Sequence, residues 1–212
     1  MTSLATGVRQ LPRGRHGLPR EQVVASQRDR ILLAMAEAMT EHGYVGTSVA
    51  VILKGAGVSR ETFYEQFRSK QDCFEAAYER AVRLLLDRIR AAIPHSAPIE
   101  SDRLAGILGA YLEGLAAEPA YARLFLVEVY AVGSKAVVRR ANLQESFAAM
   151  IAEVLGARTE EQHFACRTLT AAISSMVTAR IAVDDLDGLR ALREPLLNLV
   201  RRSGALYGEA VR

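Results

Sequence analysis

The chain has 212 residues, half of them hydrophobic, and a formal net charge of +3 at pH 7. This length is sufficient to bury a core without disulfide or metal staples. No stretch reaches the roughly 18 to 20 uncharged apolar residues that a membrane-spanning helix requires, and the basic N-terminus lacks the apolar segment of a signal peptide. We therefore expect a cytoplasmic protein with no membrane partner.

The cysteines and histidines give no sign of a disulfide framework or a metal site. Cys73 and Cys166 lie far apart, and neither has a CxxC partner. The four histidines lack the HxxxH or HExxH spacing that places two ligands on one helical face. We expect free thiols in a reducing compartment, with no metal and no cofactor.

The first twenty residues form a basic segment. They contain four arginines and no acidic residue, which leaves about −1 for the rest of the chain. Their prolines and glycines and their lack of an apolar period predict a disordered arm over residues 1–20. Two interpretations stay open, because such an arm either contacts phosphate or is a tail without a role.

Four helices are predicted after the arm. Apolar residues recur at three and four spacing over residues 21–42, a pattern that Gly43 ends. Two short helices follow: Thr47 and Ser48 can cap the first, which runs to about Gly55, and Ser59 can cap the second, which runs through Phe67. A longer helix is predicted over residues 70–93, before a proline.

The remainder of the chain is also predicted to be helical. The helical patterns lie at about 101–117, 119–132, 135–155, 159–184 and 187–208. No segment shows the sustained alternation of a strand, and no repeat occurs at a fixed period. The predicted fold is therefore all-α, with about nine helices.

The two short helices have the features of a helix-turn-helix. Gly57 lies where the chain must reverse, and glycine adopts the left-handed backbone there at no steric cost. The predicted buried faces are Ile52 and Leu53 on one helix and Val58, Phe63 and Phe67 on the other. The alternative is a helical hairpin whose polar face only meets solvent.

A longer pattern around this turn resembles a known family. The run Ala56-Gly57-Val58-Ser59, then Thr62-Phe63-Tyr64, Phe67 and Ser69-Lys70, with Gly43-Tyr44 before it, is similar to the DNA-binding signature of the tetracycline-repressor (TetR) family. The resemblance covers about residues 28–75. It implies a three-helix DNA-binding domain at 21–68, joined to a helical ligand-binding and dimerisation domain at 69–212.

The resemblance, together with side-chain chemistry, implies a set of DNA contacts. Tyr64 and Lys70 inherit phosphate contacts, and Thr47, Ser48 and Ser59 lie at helix N-termini, where backbone N–H groups favour anions. The candidates for base edges are Arg60, Thr62 and Gln66. In the arm, Arg13 and Arg15 are candidates for the DNA backbone or the minor groove.

The sequence departs from the family pattern at two positions. Gln66 stands where the family often has histidine or another aromatic residue, and Leu53 where a small alanine is usual. Glu65 would repel phosphate, so we expect it to face cytosine, an arginine or solvent.

For the C-terminal part, the resemblance implies a homodimer formed by helices 159–184 and 187–208. Two recognition helices one DNA turn apart would then read a palindromic operator on double-stranded DNA. Residues suited to packing against the partner are Ala165, Leu169, Ala172, Ile173, Met176 and Val177, then Leu189, Leu192, Leu196, Leu199 and Val200. The alternative is that they form a core within one chain.

The middle helices offer residues for an effector pocket. These are Tyr111, Leu115, Phe125, Glu128, Tyr130, Phe147, Met150, Ile151 and Met176. Taken singly, each is more typical of an ordinary core. Together they predict a cavity for a small hydrophobic or amphipathic effector, which would be cationic if Glu128 faces inward. An exposed glutamate is the alternative at that position.

These features predict a ligand-released repressor. By family analogy the ligand would tilt the helix at 70–93 and move the recognition helices out of register with the DNA grooves. Alternatives are an activator, a regulator that senses a protein, and a DNA-binding protein without an effector. An enzyme is not expected, because the sequence shows no nucleophile-base pair, paired carboxylates or glycine-rich phosphate loop.

Overall fold

A computed structural model describes residues 19–92 and 100–208. Over these residues the chain is helical and contains no strand, which confirms the all-α prediction. The chain divides into two compact units, Met1–Arg80 and Ala81–Arg212. No helix within the described ranges has the length and apolar character needed to cross a membrane.

The first unit contains the three N-terminal helices. They are α1 (Arg20–Gly46), α2 (Val49–Ala56) and α3 (Arg60–Gln66). Within α1, Gly43 has φ 67° and ψ 170°, so the regular helix ends where the sequence predicts. Met35, Ile52 and Phe63 are completely buried and form the centre of this core.

A close approach of α1 and α2 contributes to that core. A Cβ atom placed on Gly55 would lie 3.2 Å from the Cβ of Ala34, which is tighter than most real Cβ contacts. The absence of a side chain at Gly55 therefore allows the two helices to pack closely at this point. The next long helix, α4 (Lys70–Ala92), begins in the first unit and ends in the second.

The second unit contains five further helices. They are α5 (Glu100–Ala117); α6, made of Pro119–Arg123, a π-helical turn Leu124–Glu128 and Val129–Val132; α7 (Ser134–Val154); α8 (Glu160–Ala182); and α9, made of Leu186–Ala191 and Arg193–Ser203. A short 3₁₀ turn, Gly204–Leu206, follows α9. Counted this way, the described ranges hold nine helices, as predicted.

Helix α9 is interrupted, whereas the sequence predicts one continuous helix over 187–208. The break lies between Ala191 and Arg193. Pro195 has no backbone N–H and cannot bond to the Ala191 carbonyl four residues earlier. The chain therefore restarts its helix one residue later.

Side chains fix the ends of the helices in the second unit. Thr159 and Gln162 form a capping box at the start of α8. Arg123 lies beside the end of the same helix, where its guanidinium donates to the carbonyls of Ile181 and Ala182 at 3.4 and 3.1 Å. These contacts hold α6 against α8.

Candidate functional site

The turn between α2 and α3 is built around Gly57. Its φ of 62° and ψ of 42° are the left-handed values predicted for this position. The N–H groups of Gly57 and Val58 both donate to the Leu53 carbonyl, the second at 3.3 Å. The turn therefore satisfies the end of α2 locally and directs the chain into α3.

Serines cap both short helices. The Ser48 hydroxyl accepts from the Val51 N–H at 3.3 Å, and the Ser59 hydroxyl accepts from the Thr62 N–H at 3.1 Å. The hydroxyls of Ser59 and Thr62 also lie 3.0 Å apart. Both serines are exposed at the helix N-termini, as an anion contact requires.

Thr47 is placed differently from its neighbour. It is only 1% exposed, and its hydroxyl donates to the Gly43 carbonyl at 2.8 Å. The cap of α2 is Ser48, and the Thr47 hydroxyl stabilises the end of α1 instead. The structure therefore does not present the Thr47 side chain at the surface where a DNA contact was expected.

The inner face of α3 is aromatic. Phe63 is completely buried and Phe67 is 2% exposed, with ring centroids 5.5 Å apart. The guanidinium carbon of Arg28 lies 4.5 Å from the Phe67 ring centroid. Leu53 and Val58, predicted for the same buried faces, are half-buried. This packing fixes which side of α3 faces outward.

The outer face of α3 is polar. Arg60 and Glu65 are exposed, Tyr64 is 48% exposed, and Thr62 and Gln66 are half-buried. The side-chain oxygen of Gln66 has no hydrogen-bond partner among the described residues. The structure thus brings the predicted base-reading candidates onto one short helix. The arm residues Arg13 and Arg15 lie outside the described ranges.

Lys70 opens α4 and is held against Tyr44. Its ammonium donates to the Tyr44 carbonyl at 2.8 Å and lies 4.2 Å from the centroid of the Tyr44 ring. Burial, with a smaller contribution from Glu75, raises the pKa of the Tyr44 hydroxyl. The Ser69 hydroxyl caps α4 by accepting from the Asp72 N–H at 3.1 Å. Lys70 is therefore positioned at a capped helix start.

The second unit contains an apolar cavity. Its empty volume is about 720 Å³, which includes its open mouth. Helices α4 to α9 all contribute lining residues. Five of the predicted pocket residues line it, namely Tyr111, Phe125, Phe147, Met150 and Ile151. Phe125 belongs to the π-helical turn of α6, a type of irregularity that often occurs at functional sites.

Four predicted pocket residues do not line this cavity. Leu115 is buried beside a smaller cavity of about 280 Å³. Glu128 lies next to Arg123, with a carboxylate oxygen 3.7 Å from the guanidinium Nε. Tyr130 is 57% exposed, and Met176 is half-buried outside the cavity lining. The prediction of a cationic effector depended on Glu128 facing the cavity, and Glu128 is not among the residues that line it.

The polar residues of the cavity wall were missed by the sequence reasoning. Arg140, Gln144, Thr170 and Ser174 line it together with Tyr111. A signal was present, since positions 140, 144, 147 and 151 share one face of α7 at helical spacing. That spacing placed an arginine on the same face as two residues that were predicted to line the pocket.

Burial has a marked effect on the Tyr111 hydroxyl. Desolvation raises its pKa to about 12, and the nearby charge of Arg140 partly opposes this shift. Tyr111 is therefore a neutral hydrogen-bonding group in the cavity. Among the described residues there is no group of three His, Cys, Asp or Glu side chains able to hold a metal ion.

The helix-turn-helix region is similar to that of a known protein family. Residues 31–77 match the model of the family described as "Bacterial regulatory proteins, tetR family". Over these residues the chain matches the TetR family. The matched region nearly coincides with residues 28–75, over which the sequence resembles the family signature.

A curated relative is similar over part of its length. It is the HTH-type transcriptional activator FasR of Mycolicibacterium smegmatis, 32% identical over 76 residues. The match covers 36% of this chain and only about a third, 33%, of that protein.

Solved structures of bacterial regulators share the fold over most of the chain. FadR of Bacillus subtilis, in complex with stearoyl-CoA, is 19% identical with a TM-score of 0.68, covering 81% of this chain and 96% of that one. The fatty acid degradation regulator FadR of Bacillus halodurans is 23% identical with a TM-score of 0.66, covering 82% and 93%. These likenesses show that the chain has the fold of these proteins.

Proposed function

We propose that this TetR-family protein represses transcription by binding a palindromic operator as a dimer. The observation that carries the proposal is the division of α3, with buried Phe63 and Phe67 on one side and exposed Arg60 and Tyr64 on the other. A capped, rigidly packed helix with a polar outer face is suited to the major groove. Cytoplasmic location and the absence of catalysis belong to the same proposal.

Each predicted contact receives a role in this proposal. Arg60, Thr62 and Gln66 read base edges, since arginine pairs with guanine and glutamine with adenine. Tyr64 and Lys70 contact phosphates, and Ser48 and Ser59 present capped helix N-termini to them. Arg13 and Arg15 add contacts from the arm. Thr47 contributes by holding the end of α1 in place.

The test is a gel-shift titration with the inverted repeat from the promoter of the chain's own gene. Arg60→Ala should weaken operator binding by about 1 to 3 kcal/mol, roughly 5- to 150-fold. Arg83→Ala is the matched control, because Arg83 is an exposed arginine on α4 outside the proposed interface. Equal affinity of the wild-type protein for the repeat and for random DNA would overturn the proposal.

An exposed apolar surface on α8 and α9 supports dimerisation. Phe164 is 63% exposed, and the small residues Ala172 and Ser175 are exposed farther along α8. On α9, Leu199 is 48% exposed. Large exposed apolar groups on two neighbouring elements often mark an interaction surface.

Most of the residues first assigned to the dimer interface pack inside the chain instead. Buried ones are Leu169, Ile173, Val177, Leu189, Leu196 and Val200. For these six, the alternative of an intrachain core holds. The proposed interface therefore uses the opposite face of the same helices.

Sedimentation velocity can test this interface. Ala172→Arg introduces a charge at its centre and should shift the protein toward monomer. Ala141→Arg makes the same change at an exposed position of α7 and should leave the assembly unchanged. A wild-type protein that is monomeric at micromolar concentration would contradict the proposed dimer.

The effector part of the proposal rests on α4 and the cavity. Ile89, near the end of α4, lines the cavity, and the same helix begins at Lys70 next to the helix-turn-helix. A ligand that prefers one position of α4 would change operator affinity. The complex of Bacillus subtilis FadR with stearoyl-CoA supports a hydrophobic effector for this fold.

Activation is the second candidate, because the relative from Mycolicibacterium smegmatis is named an activator. The two candidates make opposite predictions for purified RNA polymerase on the same promoter. A repressor lowers transcript yield when it occupies the operator, and an activator raises it. An increase in yield would replace repression by activation and leave the DNA-binding proposal intact.

A further inference from the structure

The wall of the cavity contains a buried positive charge. Arg140 is only 5% exposed, although it lies on α7 among apolar residues. One terminal nitrogen donates to the Ser174 hydroxyl at 2.7 Å, and its Nε has no hydrogen-bond partner. Burying a charged group in this way is costly unless another group compensates for it.

The described parts of the chain supply no carboxylate for Arg140. It also lies over the face of Phe125, whose ring centroid is 5.0 Å from the guanidinium carbon. Neither a serine hydroxyl nor an aromatic ring carries the opposite charge. Glu128, the acid first considered for this pocket, lies beside Arg123 instead.

The remaining wall separates into apolar and hydrogen-bonding parts. Leu104, Leu108, Phe147 and Ile173 offer only hydrocarbon surface. Gln144 lies one helical turn after Arg140 on the same helix, and Thr170 lies one turn before Ser174 on α8. The polar groups therefore lie on neighbouring turns of two adjacent helices.

We propose that the effector is an amphipath with an acyl chain and a carboxylate head, and that Arg140 binds the carboxylate. The guanidinium Nε and the Ser174 hydroxyl direct the head group, while the apolar wall takes the chain. Carboxylate and guanidinium form strong charge-assisted hydrogen bonds, so the ligand would supply the missing partner. The inference rests on the proposed effector function and names the chemistry of its ligand.

Calorimetric titration with paired ligands tests this proposal. Octanoate, dodecanoate and hexadecanoate are each compared with the alcohol of the same chain length. At the best chain length the carboxylate should bind at least about tenfold tighter than the alcohol, the effect of a charge-assisted hydrogen bond. Arg140→Met should abolish that ratio, whereas Arg140→Lys should retain part of it.

The control is Arg139→Met, an adjacent and exposed arginine on the same helix. It should leave the carboxylate preference unchanged. Circular dichroism checks that each variant is folded. If Arg140→Met does not fold, the proposal is judged by the ratio of carboxylate to alcohol affinity in the wild type and in Arg140→Lys. A wild-type preference that survives in folded Arg140→Met would overturn the assignment of Arg140.

The ligand series separates this inference from the proposed function. Equal, tight binding of acid and alcohol would overturn the carboxylate head and leave the apolar effector cavity standing. Binding of neither would overturn both the inference and the effector part of the proposal, while operator binding is judged by gel shift. The last ligand is dodecanoyl-CoA. If it binds more tightly than dodecanoate, and if Arg140→Met does not weaken its binding, the proposal of a free carboxylate head is overturned.

Discussion

The two units of this protein differ in where their candidate functional residues lie relative to the core of each unit. In the first unit, Arg60 and Tyr64 project from the outside of α3, and buried Phe63 fixes their direction. In the second unit, Phe147 and Arg140 line a cavity inside the helices. An exposed polar face differs in composition from a core, whereas an apolar cavity does not.

The largest predicted effect distinguishes a buried residue of α3, which stabilises the fold, from an exposed residue that is proposed to contact DNA. Phe63→Ala should destabilise the protein by about 3 to 5 kcal/mol, because it removes a completely buried ring. Tyr64→Ala, at the neighbouring exposed position, should change stability little and weaken operator binding. Urea denaturation and gel shift measure the two effects. Equal loss of stability in both variants would contradict the assigned faces of α3.

The two buried cysteines provide one probe for each unit. Burial raises the pKa of the Cys73 thiol from 9.0 to about 12, so its reactive thiolate is on the order of a thousandfold rarer than in an ordinary cysteine. Cys166 is also buried, and burial raises its pKa. In the native protein, neither should react readily with a thiol reagent.

Labelling in increasing urea then compares how the two units open. Cys73→Ala leaves only the probe in the second unit, and Cys166→Ala leaves only the probe in the first. Labelling at different urea concentrations would show that the units open separately. Coincident labelling would show one cooperative transition, and rapid labelling of Cys73 without urea would contradict its burial.

A smaller effect is expected at the turn of the helix-turn-helix. Gly57→Ala places a side chain on a residue with φ 62° and should cost about 1 to 2 kcal/mol. Gly57→Asn should cost less, because asparagine tolerates the left-handed region. Thermal unfolding of the two variants measures the difference. Equal destabilisation by both would attribute the effect to something other than backbone conformation.

These contrasts explain which features were predictable from sequence. Gly57, Ser59 and Phe63 follow local rules of turns, caps and periodicity, so the first unit was predicted closely. Thr47 was not, because two adjacent hydroxyl residues suit the same cap and only packing decides that Ser48 takes it. The interruption of α9 was overlooked, although Pro195 gave a local signal for it.

The second unit was harder to predict because burial there depends on contacts between distant helices. Phe147 and Leu115 have the same apolar character in the sequence, yet only Phe147 lines the main cavity. The orientation of α8 was also misjudged, since Ile173 lies in the intrachain core and Ala172 is exposed. Adjacent positions on a helix point in different directions around its axis, and this decides which of the two side chains is buried.

The smallest predicted effect concerns an electrostatic cap in the second unit. The Asp185 carboxylate accepts from the Gly188 N–H at 2.8 Å and from Arg180 at 2.7 Å. The hydrogen bond from Gly188, followed by Arg180, lowers the pKa of Asp185 below its ordinary value of 3.8. Its ionised form therefore stabilises the folded state above that value, and this contribution is lost as the pH falls through the lowered pKa.

Asp185→Asn isolates the charge, because asparagine can still accept from the Gly188 N–H. Between pH 7 and about pH 3, the melting temperature of the wild type should fall slightly more than that of the variant. The difference should be small, since Asp185 lies near the surface, where solvent screens charges. If the melting temperatures of the two proteins fall in parallel over this pH range, Asp185 caps α9 without a contribution from its charge to stability.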